Sequence, residues 1–394
     1  MRVLAVGNMY PPHSFGGYEL VWRSAMRHLE RHGHEALVLT TDLRTASREP
    51  DDPNVRRELR WYWRDHGFPR LSRGERLRLE RANARVLRRA LRRFRPDVVS
   101  WWSMGGMSLS MVERVRRAGI PAVGFVHDDW LGYGREVDGW VSAFANRSER
   151  AARLAERIAG VPARVDLAAA ARYVFVSETT RRRAIEAGVE PRSSGVAHSG
   201  IDPAFLDPAP DREWDWSLLY VGRLDERKGV DTLVAALARL PEATLTLVGG
   251  WDEAEEARLS AQAADTGVGD RVRFAGQRVR DEVHTAYADA DVVVFPVRWE
   301  EPWGLVPLEA MARGRPVVAT GRGGSGEYLR DRENALLFEA GDADGLARAV
   351  ARLAADPELR RRLRAGGLRT APHHTEDRFN AAVLQELSAA AGQN

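Results

Sequence analysis

Apolar positions along the chain follow two alternating rhythms. Short runs of Val, Leu and Phe are separated by longer stretches whose apolar residues recur every three or four positions. This pattern predicts strand–helix units of a parallel α/β sheet. Strands are expected near residues 3–6, 36–39, 98–101, 122–126 and 173–176, and again at 217–221, 245–248, 272–274, 292–295, 317–319 and 336–338. Between the two sets, residues 203–216 carry Pro203, Pro208 and Pro210 and show neither period, so they read as a linker. The chain thus divides into an N-terminal Rossmann-like domain (1–202), the linker, and a C-terminal Rossmann-like domain (217–374). A final helix (375–394), with Phe379, Val383, Leu384 and Leu387 on one face, is expected to pack back across the junction. Two such domains facing each other would place a ligand cleft at the carboxyl ends of both sheets.

Composition narrows the chemistry. At 394 residues, 44% hydrophobic and 29% charged, the chain is neither disordered nor fibrous. It has no cysteine, which removes disulfides, thiolate zinc sites, iron–sulfur clusters and thiol nucleophiles. No apolar run of about 18 residues suits a membrane span, and the start lacks a secretory leader's pattern. A cytoplasmic location is therefore expected.

The net charge of +3 is unevenly spread, because residues 56–95 hold 15 Arg against four acids. Of the 59 basic residues only Lys228 is a lysine. In a chain where Arg is the default cation, that exception points to a site needing a compact ammonium.

Lys228 lies in LLYVGRLDERKGVDTLVAAL (218–237), a strand, a loop and the start of an amphipathic helix, and Arg223 shares the loop. Cations at the carboxyl end of a strand, beside a helix N-terminus, are placed to bind phosphate, although a solvated loop also carries charge. A second segment, VRWEEPWGLVPLEAMARGRPVVAT (297–320), has Glu301 and Glu309 separated by seven residues. Pro307 suits a first helical turn, which puts Glu301 on the preceding loop and Glu309 in that turn. An acid in a first turn is an ordinary dipole partner. Glu301, in an aromatic-rich loop beside the backbone N–H groups of Gly304 and Leu305, is placed to bind a ligand.

These segments, with NMYPPHSFGGYELVWRSAMRHLERHGHEALVLT at the start, HSGID before the linker, and the glycine-rich GRGGSGEYLRDRENALLF, resemble the retaining glycosyltransferases of the GT-B fold, glycosyltransferase family 4. The glutamate spacing is similar to that family's EX7E motif. The resemblance implies that Arg223 and Lys228 hold the donor diphosphate, with Gly16 and Gly17 of the N-terminal glycine loop letting backbone approach it. It implies that Glu301, Trp303, Gly304, Leu305 and Val306 contact the donor sugar and that Glu309 accepts the ribose hydroxyls. His127, at the end of the run AVGFV, would stand beside the sugar, or is a structural histidine. His13, Asp128, Asp129 and Trp130 are acceptor-side candidates.

For mechanism, the resemblance implies a nucleotide-sugar donor, a hydroxyl acceptor, no cofactor and no metal. Retention would proceed by front-face attack, driven by positioning and by fixed cations aimed at the leaving group. Asp128 and Asp129 lack the Asp, any residue, Asp spacing of metal-dependent transferases. A UDP-sugar donor is favoured and a GDP-sugar possible. Rival readings are a sugar-nucleotide epimerase or hydrolase of the same fold, or a nucleotide-binding protein without turnover. A phosphorylase would need a lysine for pyridoxal, and Lys228 is taken. The Arg-rich segment 56–95 carries Leu79, Ala82, Val86, Leu87, Ala90, Leu91 and Phe94 at helical spacing, so it either packs on its own domain or touches anionic lipid. Nothing reads as a nucleic-acid motif.

Overall fold

The computed structural model describes residues 1–14, 16–45, 49–64, 67–278 and 280–392; residues 65–66 of the Arg-rich segment and 393–394 of the final segment lie outside these. The chain divides into two units, Met1–His198 with Phe379–Asn394, and Ser199–Arg378. The first unit contains a seven-stranded parallel sheet: β1 (Arg2–Val6), β2 (Glu35–Thr41), β3 (Val55–Leu59), β4 (Val98–Trp101), β5 (Ala122–Val126), β6 (Arg172–Phe175) and β7 (Ser194–Val196). Their order is β3-β2-β1-β4-β5-β6-β7. In β4 and β5 every residue is buried, because helices cover both faces of a parallel sheet.

Two strands escape the apolar-run criterion, and both lie at edges. In β3, VRREL, only Val55 and Leu59 are buried while Arg56 and Glu58 face solvent; in β7, SGV, no residue is fully buried. An edge strand needs only one ladder partner and tolerates charge.

The Arg-rich segment forms the helix Arg73–Phe94. Ser72 caps it in a reciprocal box with Glu75, and Arg95 ends it in the left-handed region. Leu79 and Leu87 are buried, and Val86, Ala90, Leu91 and Phe94 pack against the core of their own unit. The apolar stripe is thus spent on the sheet beneath, and the arginines line the outer face. The final helix, Glu376–Ala390, buries Phe379, Val383 and Leu387. Within the first unit it is tied by Asn380 Nδ2 donating to Ser24 Oγ at 2.8 Å and by the Arg172–Glu386 ion pair.

The second unit contains β8 (Ser217–Val221), β9 (Thr244–Val248), β10 (Val272–Gly276), β11 (Val292–Phe295), β12 (Val317–Ala319) and β13 (Leu336–Leu337), in the order β10-β9-β8-β11-β12-β13. All pairs are parallel. Residues 203–216, expected as a linker, are packed within this unit. Pro203–Leu206 is a 3-10 turn, Ala209 N donates to Arg313 O, and Asp215 N to the buried Asp291 carboxylate. Prolines suppress regular structure there without freeing the chain. In both sheets the order reverses beside the first strand, between β1 and β4 and between β8 and β11. Ligands of open α/β sheets gather at the carboxyl ends of such a reversal.

Candidate active site

In the second unit, β8 and β11 deliver their following loops to one place. Gly229 has φ +69°, and a Cβ on it would sit 2.1 Å from Pro296 O, so only glycine lets the two loops meet. Arg298 N donates to Arg227 O at 2.8 Å and fixes their register. The two halves of the site, 73 positions apart in sequence, are joined directly: Lys228 Nζ donates to Glu301 Oε2 at 2.7 Å. Trp299 completes the junction, its Nε1 donating to the same oxygen at 2.8 Å and its ring 5.5 Å from the ammonium. The Arg227 guanidinium also lies over the Trp299 ring, 4.8 Å from its centre.

The Glu301 backbone is equally constrained. Gly324 N donates to Glu301 O at 2.7 Å, and a Cβ on Gly323 would lie 2.3 Å from that oxygen. Arg223 projects from the same edge, half-exposed and 3.7 Å from Asp225, while its carbonyl accepts from the buried Tyr220 hydroxyl. The short helix Val306–Ala312 has Pro307 and Glu309 in its first turn. Leu305 caps its start and Gly304 precedes it at φ +88°; the first N–H groups of any helix have no intrahelical acceptor. Glu309 Oε2 accepts from the buried Tyr287 hydroxyl at 2.6 Å. Arg223, Lys228 and Glu301 thus gather at one reversal edge, and Glu309 stands eight residues on, in the turn beyond it.

Trp303 departs from expectation. It is 3% exposed, its Nε1 donates to Ser199 O, and its ring faces Tyr328 and His374. It props the loop from behind and offers no face to a sugar.

The first unit builds a different edge. Asn8, after β1, donates through Nδ2 to Ser103 Oγ, which donates to Asp128 Oδ2 at 3.2 Å. Tyr133 OH and Trp130 N also donate to Asp128. Burial pushes the Asp128 carboxyl up to about 6. His127 sits among Tyr18, Trp102 and Phe379 at 5.2–6.0 Å between ring centres, and burial lowers its pKa to about 4, so its imidazole is neutral at pH 7. Gly16 N donates to Glu19, and Gly17 opens the helix Tyr18–Arg31. A Cβ on Gly17 would meet nothing within 4 Å, so packing does not demand glycine there.

Three acceptor-side expectations change. Trp130 is 0% exposed, in the core against Tyr173, and presents no surface. His13 is 5% exposed, with Nδ1 accepting from Thr45 N at 3.1 Å and Nε2 3.4 Å from Arg44; it holds the loop rather than a ligand. Asp129 is engaged by Arg183 at 2.7 Å. Among the described residues no three metal-ligating side chains converge, and no helix is long and apolar enough to cross a membrane.

The contacts that sequence reasoning missed are aromatic: Trp299 between Lys228 and Glu301, Tyr287 behind Glu309, and Tyr18 against His127. The aromatic density of residues 299–303 is a signal for Trp299 alone; Tyr287 and Tyr18 carry none.

Two family models match the chain in tandem, "Glycosyltransferase Family 4" over residues 15–205 and "Glycosyl transferases group 1" over residues 208–369. A lipopolysaccharide core biosynthesis glycosyltransferase, LpsE, of Rhizobium meliloti is 42% identical over 170 residues, 43% of this chain and 48% of that protein. A GDP-mannose-dependent phosphatidylinositol monomannoside mannosyltransferase of Mycobacterium tuberculosis is 35% identical over 202 residues, covering 46% and 52%. The chain spans about half the length of the curated relatives it matches. Among solved structures, sucrose-phosphate synthase from Thermosynechococcus elongatus superposes with TM-score 0.75 at 23% identity over all of both chains. Anabaena HepE, solved with UDP, gives 0.71 at 21%, covering 99% of this chain and 100% of that one. The first half of the chain is therefore similar to the Glycosyltransferase Family 4 model and the second half to the Glycosyl transferases group 1 model, each half holding a parallel Rossmann-like sheet, and the fold is the GT-B fold of the structural neighbours.

Proposed function

We propose that this chain is a retaining glycosyltransferase that moves a sugar from a nucleoside diphosphate, a UDP-sugar first and a GDP-sugar second, to a hydroxyl acceptor without a metal. The 2.7 Å contact between Lys228 and Glu301 carries the reading, because it unites a phosphate-type cation with a hydroxyl-accepting carboxylate at the sheet's reversal point. On donor binding the ammonium exchanges Glu301 for a phosphate oxygen. The released carboxylate then accepts hydrogens from the sugar hydroxyls.

Arg223, already at the edge, adds a guanidinium fork to the diphosphate. As the bond from the anomeric carbon to the β-phosphate oxygen breaks, negative charge grows beside these fixed cations, which stabilises the transition state. The acceptor oxygen bonds to the same face of that carbon, and its proton passes to the departing phosphate oxygen. Glu309, oriented by Tyr287, accepts from the ribose hydroxyls. His127 supplies a neutral wall in its own unit.

The relatives' names include a lipopolysaccharide core, an inositol phosphate and a phosphatidylinositol mannoside. These support a glycan, lipid-linked or small polyhydroxy acceptor, and the basic face of Arg73–Phe94 suits one that bears phosphate.

Thermal melts with UDP, GDP, ADP, TDP and their sugars, with and without EDTA, test the donor half. An EDTA-insensitive rise with one diphosphate is expected; no rise with any, or one abolished by EDTA, would overturn it. NMR of the product's anomeric proton tests retention, and an inverted product would refute the front-face route.

A further inference from the structure

A second group of cations lies at the opposite, amino edge of the second unit's sheet. Arg212 and Trp214 precede β8, Arg315 precedes β12, and Arg360, Arg361 and Arg364 project from the helix Pro357–Thr370; all line one cavity of about 70 Å³. At about 3.3 Å per residue the five-residue β8 sets this cavity roughly 16 Å from the Lys228 loop. Its volume is several times the 10–15 Å³ or so that one water requires, enough for a tetrahedral oxyanion and too small for a nucleotide.

The cavity lining carries more cations than acids. Five guanidiniums face two carboxylates, Asp211 and Asp291. Asp291 accepts from Asp215 N, Ser217 N and Ser217 Oγ and also pairs with Arg212 at 3.5 Å, Arg361 pairs with Glu358, and Arg364 donates to the carbonyls of Gly314 and Ala209. Arg315 is only 4% exposed, and burial, then the neighbouring Arg364 and Arg212, lower its proton affinity. Its Nε and Nη2 donate to the carbonyls of Tyr287, Pro210 and Ala288, which leaves Nη1 without an acceptor among the described residues. The Trp214 indole, stacked 5.3 Å from the Arg360 guanidinium, has a buried N–H that also has no acceptor among them. A buried donor without a partner is costly, and an indole nitrogen can only donate.

We infer that this pocket is a second anion site, taking a phosphate-sized oxyanion between the Arg315 guanidinium, the helix arginines and the Trp214 indole. It stands independently of the transferase reading, since none of its residues belongs to the donor loops. The anion is inorganic phosphate or the phosphate group of a small metabolite.

Melting curves of the full chain in potassium phosphate, in glucose 6-phosphate and in potassium chloride of equal ionic strength test this, for the wild type, Trp214→Phe, Arg361→Gln and Lys228→Ala. Phosphate should raise the wild-type Tm by roughly 3 °C over chloride. The rise should fall by half or more in Trp214→Phe and Arg361→Gln and persist in Lys228→Ala. Trp214→Phe should melt no lower than wild type in chloride, because it removes an unpartnered donor. A larger rise with glucose 6-phosphate than with phosphate marks the metabolite as the source; the reverse order marks the free ion. An equal rise in all four proteins would show a general salt effect and overturn the site. So would no rise at all, or a rise lost only in Lys228→Ala.

Discussion

The two sheets reverse their strand order in the same way and then furnish that edge with opposite chemistry. After β8 and β11 come an ammonium, a guanidinium and two carboxylates, with Lys228 and Glu301 in contact. After β1, β4 and β5 come Asn8, Ser103, Tyr133, a neutral His127 and an Asp128 whose affinity for its proton is raised. One edge gathers fixed charges that suit the proposed transfer; the other gathers hydrogen-bonding groups around a neutral imidazole and a carboxyl that burial pushes up to about 6. A shared reversal of strand order therefore leaves function to the loops.

The sharpest way to break this contrast is Lys228→Ala, expected to lower turnover by about 10²–10³-fold, as removal of one fixed donor to developing charge does in other enzymes. Lys228→Arg retains the charge and should still lose most of the activity, because a planar fork replaces a compact point donor; steady-state rates near wild type would mean that charge alone matters. Glu301→Gln should reduce kcat by roughly 10-fold or more while the affinity for the free diphosphate, read by calorimetry, changes little. Equal losses would move Glu301 onto the nucleotide.

The first unit's edge makes a pH prediction. With His127 titrating near 4 and Asp128 near 6, turnover should rise with pH through about 6 as Asp128 ionises, and show no limb at 6.5 from His127. In Asp128→Asn the limb at 6 should vanish.

The smallest effect lies beneath that edge, where Glu80 is fully buried with Tyr62 OH and Ser110 Oγ donating to it. Burial, then Asp138, push its carboxyl up to about 8. The native state holds this proton and the unfolded chain does not, so its stabilising share is lost as pH climbs from about 4.5 through 8. Glu80→Gln should remove that loss and raise Tm at pH 9 by about 2–4 °C, with little change at pH 5.

Much of the fold was legible because parallel strands are covered on both faces and so read as unbroken apolar runs. What escaped, β3 and β7, sits where one face and one ladder suffice. At the site, Lys228 and Glu301 each stood out by type and spacing, but their contact did not, since it depends on how β8 and β11 pair across 73 residues. Trp303 and His13 misled because an aromatic or imidazole ring in a loop reads the same whether it faces a ligand or plugs the core, and Trp130 because it opens the helix Trp130–Val137, whose inward face it joins.

The first unit is closed by residues that come after the second. Phe379 lies 5.4 Å from His127, and Val383 and Leu387 on the same helix are buried. During synthesis at about 5–20 residues per second, roughly 10–40 s pass between the end of β7 and the arrival of that helix. For that interval the nascent first unit has a bare apolar groove where the helix will lie, and the His127 ring lacks one of its aromatic neighbours. The order of translation thus makes the second unit the first to finish.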